Sequence, residues 1–269
     1  MKPKRLRFML SDNLWGLPMD ENWDHIQQIS RNLTEDYSGA VFIGGVAVAA
    51  HASRLGSAFL ESSHDGDLYL SLQGKFEMRD RFVMHHNKRL NKDSVTIEGE
   101  DLDVYVEHNN SLGIDYAELF ASSEDIDGIR VAALEHLLVL KLDAAMDRQG
   151  TPKGEKDIRD IARIVALLDH PREPLLAKHM TEDRSDLLNQ VMKRRDLAAR
   201  LGLNPHEGKK FTTLLDANYK AISSAKTIPE LVMESVDMSI EEPLPKKPKD
   251  VTEKNAEVQV PKPTVRRRP

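Results

Sequence analysis

From Val131 the hydrophobic period of this chain becomes helical, and that change limits what it can fold into. Upstream, Leu68 and Leu70 alternate with Asp65, Asp67 and Tyr69, and Leu102, Val104 and Val106 alternate with Asp103 and Tyr105. A two-residue period is that of a strand buried on one face. Downstream, VAALEHLLVLKLDAAMDR and, after a Gly/Pro/Lys break at 150–154, EKDIRDIARIVALL carry their apolar residues at helical spacing. A stretch that contains the strands followed by one that is helical throughout predicts an α+β protein, with a mixed sheet flanked by helices and then a helical domain. With 269 residues and 40% apolar side chains the chain can fill a core, and the absence of cysteine excludes disulfides, thiolate metal sites and a cysteine nucleophile. Any metal must be held by oxygen or imidazole.

Other segments fit around these. Trp23, Ile26, Ile29 and Leu33 predict a helix over 22–36, and Val41-Phe42-Ile43 a strand that ends at Gly44-Gly45 before an alanine-rich helix over 46–54. A basic helix is expected over 77–91, and strands over 95–97 and 102–106 joined by the turn Glu98-Gly99-Glu100. Further helices are expected over 183–201, 208–224 and 228–234. From Ser239 periodicity and aromatic residues both disappear, which predicts a disordered tail. The expected units are a catalytic domain over 1–128, a helical domain over 129–238 and a basic, proline-rich tail over 239–269.

Net charge is −6, and residues 241–269 hold eight Lys/Arg against five Asp/Glu, so the body carries −6 − 3 = −9. So acidic a body argues against a broad phosphate-binding surface. The tail would tether nucleic acid or a partner, or simply keep the chain soluble. No apolar run approaches the roughly 18 residues of a membrane span, so a cytoplasmic protein without a membrane partner is expected.

Asp65-x-Asp67 is the chemical centre of the sequence. On a strand the two carboxylates project from one face, roughly 6.6 Å apart. Like charges so placed raise each other's pKa unless a cation neutralises them. Magnesium, or manganese, is a hard cation that suits such oxygen donors and keeps room for substrate phosphates. Asp103, on the non-core face of its own strand, would supply a third ligand of a two-metal site for in-line displacement at phosphorus. Gly44-Gly45 allows close backbone approach, and the helix start behind it offers N–H groups and a positive dipole end to a triphosphate. Either feature alone would read as a solvated acidic pair or a simple turn.

Together, IGGVAVAAH, HDGDLYL and LDVYV resemble the nucleotidyltransferase fold of the DNA polymerase beta superfamily, in which a glycine turn and helix precede Asp-x-Asp on the next strand. The resemblance extends through LEHLLVLKLDAAMDRQGTPKGEKDIRDIARIVALL to abortive-infection (AbiEii-like) nucleotidyltransferase toxins, and covers about residues 23 to 170. The chain departs from that pattern in a longer interval between Gly45 and Asp65, in His64, and in Gly66 between the aspartates. The resemblance implies an enzyme that moves a nucleoside monophosphate from a nucleoside triphosphate to an acceptor hydroxyl. It implies Asp65, Asp67 and Asp103 as catalytic and metal-binding residues, and Gly44, Gly45, Lys141 and Asp157 as nucleotide-binding residues. The implied acceptor is RNA, a tRNA end or a protein side chain, in a toxin–antitoxin setting with an antitoxin partner. Alternatives are a small-molecule, antibiotic-type nucleotidyltransferase and a catalytically silent fold that acts as a binding partner.

Periodicity speaks to two of these residues independently. Lys141 shares a stripe with Leu134, Leu138 and Ala145, and Asp157 one with Ile161, Ile164 and Leu168. Lys141 either faces a cleft or packs its stem and snorkels, and Asp157 either faces that cleft or offsets a helix dipole. Asp160 follows one turn later. Arg79, Arg81, His85, His86, Lys88 and Arg89 form a basic cluster, read either as an RNA contact or as a solvated helix face. Adjacent histidines on a helix cannot share a metal, so no zinc site is read at His85-His86. His51 and His64 are read as structural.

Overall fold

Val41–Ile43 (β1) is buried along its length, and Gly44 turns the chain with a φ of 67° directly into the helix Gly44–Ser53 (α2). Only glycine adopts that left-handed conformation freely. The computed structural model describes residues 21–53, 61 and 66–225. His64 and Asp65, the helix expected over 228–234 and the tail lie outside the described residues.

The first helix, Glu21–Asp36 (α1), precedes β1. After α2 come Gly66–Leu70 (β2), Leu72–Arg81 (α3), His85–Asn87 (β3), Lys92–Ile97 (β4), Glu100–Val106 (β5), Tyr116–Ala121 (α4), Glu124–Ile126 (β6) and Ile129–Val131 (β7). Helices then follow one another: Leu134–Asp147 (α5), Pro152–Leu167 (α6), Glu173–His179 (α7), Glu182–Met192 (α8), Leu197–Arg200 (α9) and Pro205–Ala225 (α10). The seven strands form one sheet in the order β3-β4-β5-β2-β1-β7-β6. Pairing is parallel between β2 and β5 and between β1 and β7, and antiparallel elsewhere. The α+β class and its mixed sheet are therefore as the change of period predicts.

One face of the central strands is fully apolar: Leu68, Leu70, Leu102, Val104 and Val106 are each at most 1% exposed. Each such side chain contributes about 1.5–3 kcal/mol on burial, so the alternation fixes which face is left for polar residues. Gly66 belongs to this apolar face. A Cβ there would lie 2.2 Å from Leu102 Cδ2, so the leucine of β5 fills the place that an apolar residue between the aspartates would take.

Four expectations need correction. The basic helix expected over 77–91 is instead α3, which starts where the Ser71 hydroxyl accepts from Gly74 N and stops at extended Phe82. His85-His86-Asn87 is an edge strand, and Asn87 Oδ1 then accepts from the amides of Arg89 and Leu90 to make the turn into β4. The basic cluster is thereby dispersed: Arg81 pairs with Asp36 at 2.7 Å and His86 with Asp93 at 2.8 Å. The helix expected over 183–201 is interrupted between α8 and α9. Helix α4, the β6–β7 hairpin and α7 were not expected, because each is too short to show a period. The sheet accordingly runs on to Val131, where the helical pattern was read to begin.

Candidate active site at the β2–β5 strand pair

The parallel register of β2 and β5 sets Asp67 directly beside Asp103, Leu68 beside Val104 and Tyr69 beside Tyr105. Neighbours in register point to the same side, so the polar face carries Asp67, Asp103 and Tyr105 on backbones about 4.8 Å apart. On its other flank Asp67 is in register with Ile43, the last residue of β1. That placement brings the carboxylate against the glycine turn: a Cβ on Gly44 would lie 2.0 Å from Asp67 Oδ2. Gly44 is needed both for its φ and for this contact. Gly45 is buried in the first turn of α2.

Charge around Asp67 is only partly compensated. Burial is the main cause that raises its carboxyl from 3.8 to about 6, with the neighbouring Asp103 adding to it, while Lys141, Lys92 and Arg148 pull the other way. Lys92 reaches Asp103 as an ion pair from β4, where it shares a face with Ser94, the residue in register with Asp103. The Asp103 side chain remains 30% exposed. Tyr105 lies under Lys92, with the ammonium 5.9 Å from the ring centroid. Burial first, then Asp67 and Asp103, push its phenol up, so it stays protonated.

Lys141 enters this cleft from α5 but binds α6. Its ammonium lies 2.7 Å from Asp160 Oδ2 and 3.3 Å from Asp157 Oδ1, with its side chain only 12% exposed. Burial works against its charge; Asp160, Asp157 and then Asp67 outweigh it and raise its pKa. The network continues through Arg148, 3.4 Å from Asp157, and Arg163, 3.0 Å from Asp160. Arg163 and Arg159 both hold Glu61, at 2.5 and 3.0 Å. Burial would raise the Glu61 carboxyl, but hydrogen bonds from Arg159 and the charge of Arg163 keep it at about 2.

Of the residues singled out from sequence, Gly44, Asp67 and Asp103 come together, Lys141 borders them, and Asp157 is joined to the group through Lys141. Asp65 lies outside the described residues. Lys92, Tyr105, Arg148 and Glu61 were not anticipated. For Lys92 a signal existed: Ser94 and Thr96 alternate with Val95 and Ile97, so extending the expected strand over 95–97 backwards would have put the lysine on the polar face with them. Asp67 and Asp103 are hard oxygen donors in one place with an excess of negative charge, and such a set fits a divalent cation.

No protein-family model matches the chain, and no curated protein matches it. Solved structures that are similar in part include an antigenic nucleotidyltransferase-like protein from Paracoccidioides brasiliensis, at 19% identity and TM-score 0.44, covering 67% of this chain and 94% of that one. The Megavirus polyadenylate synthase is similar at 11% identity and TM-score 0.40, over 55% of this chain and 32% of that one. The antibiotic-resistance factor ANT(2'')-Ia is similar at 12% identity and TM-score 0.37, over 77% of this chain and 97% of that one. Likenesses this distant decide nothing about the chemistry, which rests on the residues themselves.

Proposed function

We propose that the chain is a metal-dependent nucleotidyltransferase of the polymerase beta type, transferring a nucleoside monophosphate from a nucleoside triphosphate to an acceptor hydroxyl with pyrophosphate as the second product. The observation that carries this reading is the in-register pair Asp67 and Asp103 beside the Gly44 turn. Bound by Asp65, Asp67 and Asp103, magnesium or manganese would supply the positive charge that activates the acceptor hydroxyl and steadies the leaving group. Gly44, Gly45 and the start of α2 present N–H groups to the triphosphate. Lys141, held by Asp157 and Asp160, adds a fixed positive charge at the edge of the cleft. Tyr105, protonated, can donate a hydrogen bond to a phosphate oxygen.

The acceptor in this reading is RNA, such as a tRNA end, or a protein side chain, and the role is that of an abortive-infection-type toxin acting in the cytoplasm and opposed by an antitoxin. The test is incubation with each α-labelled nucleoside triphosphate, magnesium, and either total RNA or a protein lysate. Transfer in the wild type that is lost in Asp67→Asn supports the assignment. Label that still moves in the double variant Asp67→Asn/Asp103→Asn would refute the site.

One observation favours a second reading. Lys92 already neutralises Asp103, as a lysine would in a silent fold that binds a partner without transferring anything. In that case no nucleotide yields labelled product, and Lys92→Ala leaves partner binding unchanged.

A further inference from the structure

Away from the cleft, three side chains from separate helices converge. Glu118 of α4, His136 of α5 and His179 of α7 each offer a donor atom, and these atoms lie within 4.8 Å of one another. His179 Nε2 is 2.7 Å and His136 Nε2 3.6 Å from Glu118 Oε1. The two rings stand edge to face with centroids 5.7 Å apart. His136 is 0% exposed, and among the described residues its Nε2 has no hydrogen-bond partner.

The other nitrogen of His136 faces a hydroxyl. Ser122 Oγ lies 3.1 Å from Nδ1, and the same hydroxyl donates to the Glu118 carbonyl at 2.9 Å. With its one hydrogen on that carbonyl, the hydroxyl accepts from Nδ1–H. In the neutral ring Nε2 then carries a bare lone pair aimed at a carboxylate oxygen. Lone pair against carboxylate is repulsive, and among the described residues Nε2 has no other partner. A cation between them removes the conflict.

The geometry points to a second metal centre, a two-imidazole, one-carboxylate site in which Glu118, His136 and His179 hold a divalent transition-metal ion of the zinc type. Zinc bonds to nitrogen and carboxylate oxygen are about 2.0–2.2 Å and near-tetrahedral, so donor atoms should stand about 3.3–3.5 Å apart. Observed separations of 2.7 and 3.6 Å bracket that value. Entry of the ion asks the Glu118–His179 pair to open by less than about 1 Å. The surroundings already orient the ligands: Ser122 fixes the His136 tautomer, and Lys178 holds the other Glu118 oxygen at 2.5 Å. Such outer partners are a regular part of metal sites. Glu118 and His179 are slightly exposed, at 17% and 10%, so water can take the fourth position. The ion would staple α4, between strands of the sheet, to α5 and α7.

Full-length protein is stripped with a chelator, reloaded with zinc and passed through gel filtration, and X-ray absorption is recorded at the zinc edge. One zinc per chain with two imidazole ligands is expected, and the Asp67→Asn/Asp103→Asn variant should keep it. His179→Gln should lose more affinity than Ser122→Ala, which removes an orienting partner and should cost about 10- to 100-fold. Circular dichroism shows whether each variant is folded, and the wild-type spectrum needs no variant at all. Zinc bound without imidazole, zinc lost through the Asp67/Asp103 changes, or no zinc retained would each overturn the proposal. None of these results depends on nucleotidyl transfer.

Discussion

Two acidic pairs in this molecule meet opposite fates. Asp157 and Asp160 on α6 are almost wholly buried, yet Lys141, Arg148 and Arg163 surround them with three cations. Asp67 and Asp103, on neighbouring strands, share only the Lys92 ion pair and the more distant charges of Lys141 and Arg148, which do not offset the burial and the Asp103 charge that raise the Asp67 carboxyl to about 6. The Asp103 side chain is 30% exposed against 3% and 4% for Asp157 and Asp160, so the two pairs differ in burial as well as in compensation. A carboxylate pair neutralised by its own chain is complete, whereas one left short of positive charge is, in the function proposed, completed by a cation from elsewhere.

The contrast can be broken most sharply at the strands. Replacing Asp67 or Asp103 by Asn is expected to lower nucleotidyl transfer on the order of 10³-fold or more, as the loss of a central catalytic carboxylate does, measured as initial rate of label incorporation. Unchanged stability accompanied by unchanged transfer would put Asp67 on a level with the α6 pair.

Next in size is the reverse experiment on the helices. Lys141→Met strands Asp157 and Asp160 with one fewer cation, and breaking a buried ion pair on one side costs about 3 kcal/mol. Urea unfolding followed by circular dichroism should show the loss. A variant as stable as wild type would mean that Lys141 is not what holds the α6 carboxylates.

Asp67 itself should behave in the opposite sense. Its folded pKa, about 6, lies above the ordinary 3.8, so its share of stability is intact below pH about 4 and is lost as pH rises through 6. Asp67→Asn should therefore stabilise the metal-free protein by on the order of 2 kcal/mol at pH 7–8 and hardly at all near pH 3.5. Magnesium should close the gap by stabilising only the wild type. A variant less stable than wild type at pH 8 would show that the carboxylate is already satisfied.

The smallest effect sharpens the comparison from the rim. Arg148 is 45% exposed, so Arg148→Ala should cost less than about 1 kcal/mol, in keeping with solvent-screened pairs. Thermal melts in low and high salt would check it, and a larger, salt-insensitive loss would place the guanidinium inside the network.

Much of this was legible in the residues, and the misses share one cause. Leu68 and Leu70, Leu102 to Val106, and the stripes through Lys141 and Asp157 belong to elements long enough to repeat their pattern, and the structure places them where the pattern does. The hairpin Glu124–Val131 and the helix Tyr116–Ala121 are too short to repeat a period twice. Partners across the fold left no trace in spacing. Glu118, His136 and His179 are separated by tens of positions and meet only because three helices cross. Lys92 was within reach, but its strand was begun too late. Phe82-Val83-Met84 interrupts what composition alone suggests is one basic helix, since an extended Phe82 ends α3 before the histidines.

Glu61 has a mechanical meaning. Both oxygens of its carboxylate are gripped by arginines of α6, a few residues before the chain enters β2. The strand that bears Asp67 is thus moored to a helix of the other half of the molecule. Any exchange of helices between this protein and a relative must carry the matching anchor residue with it, or the transplanted half will drag the acidic strand out of alignment.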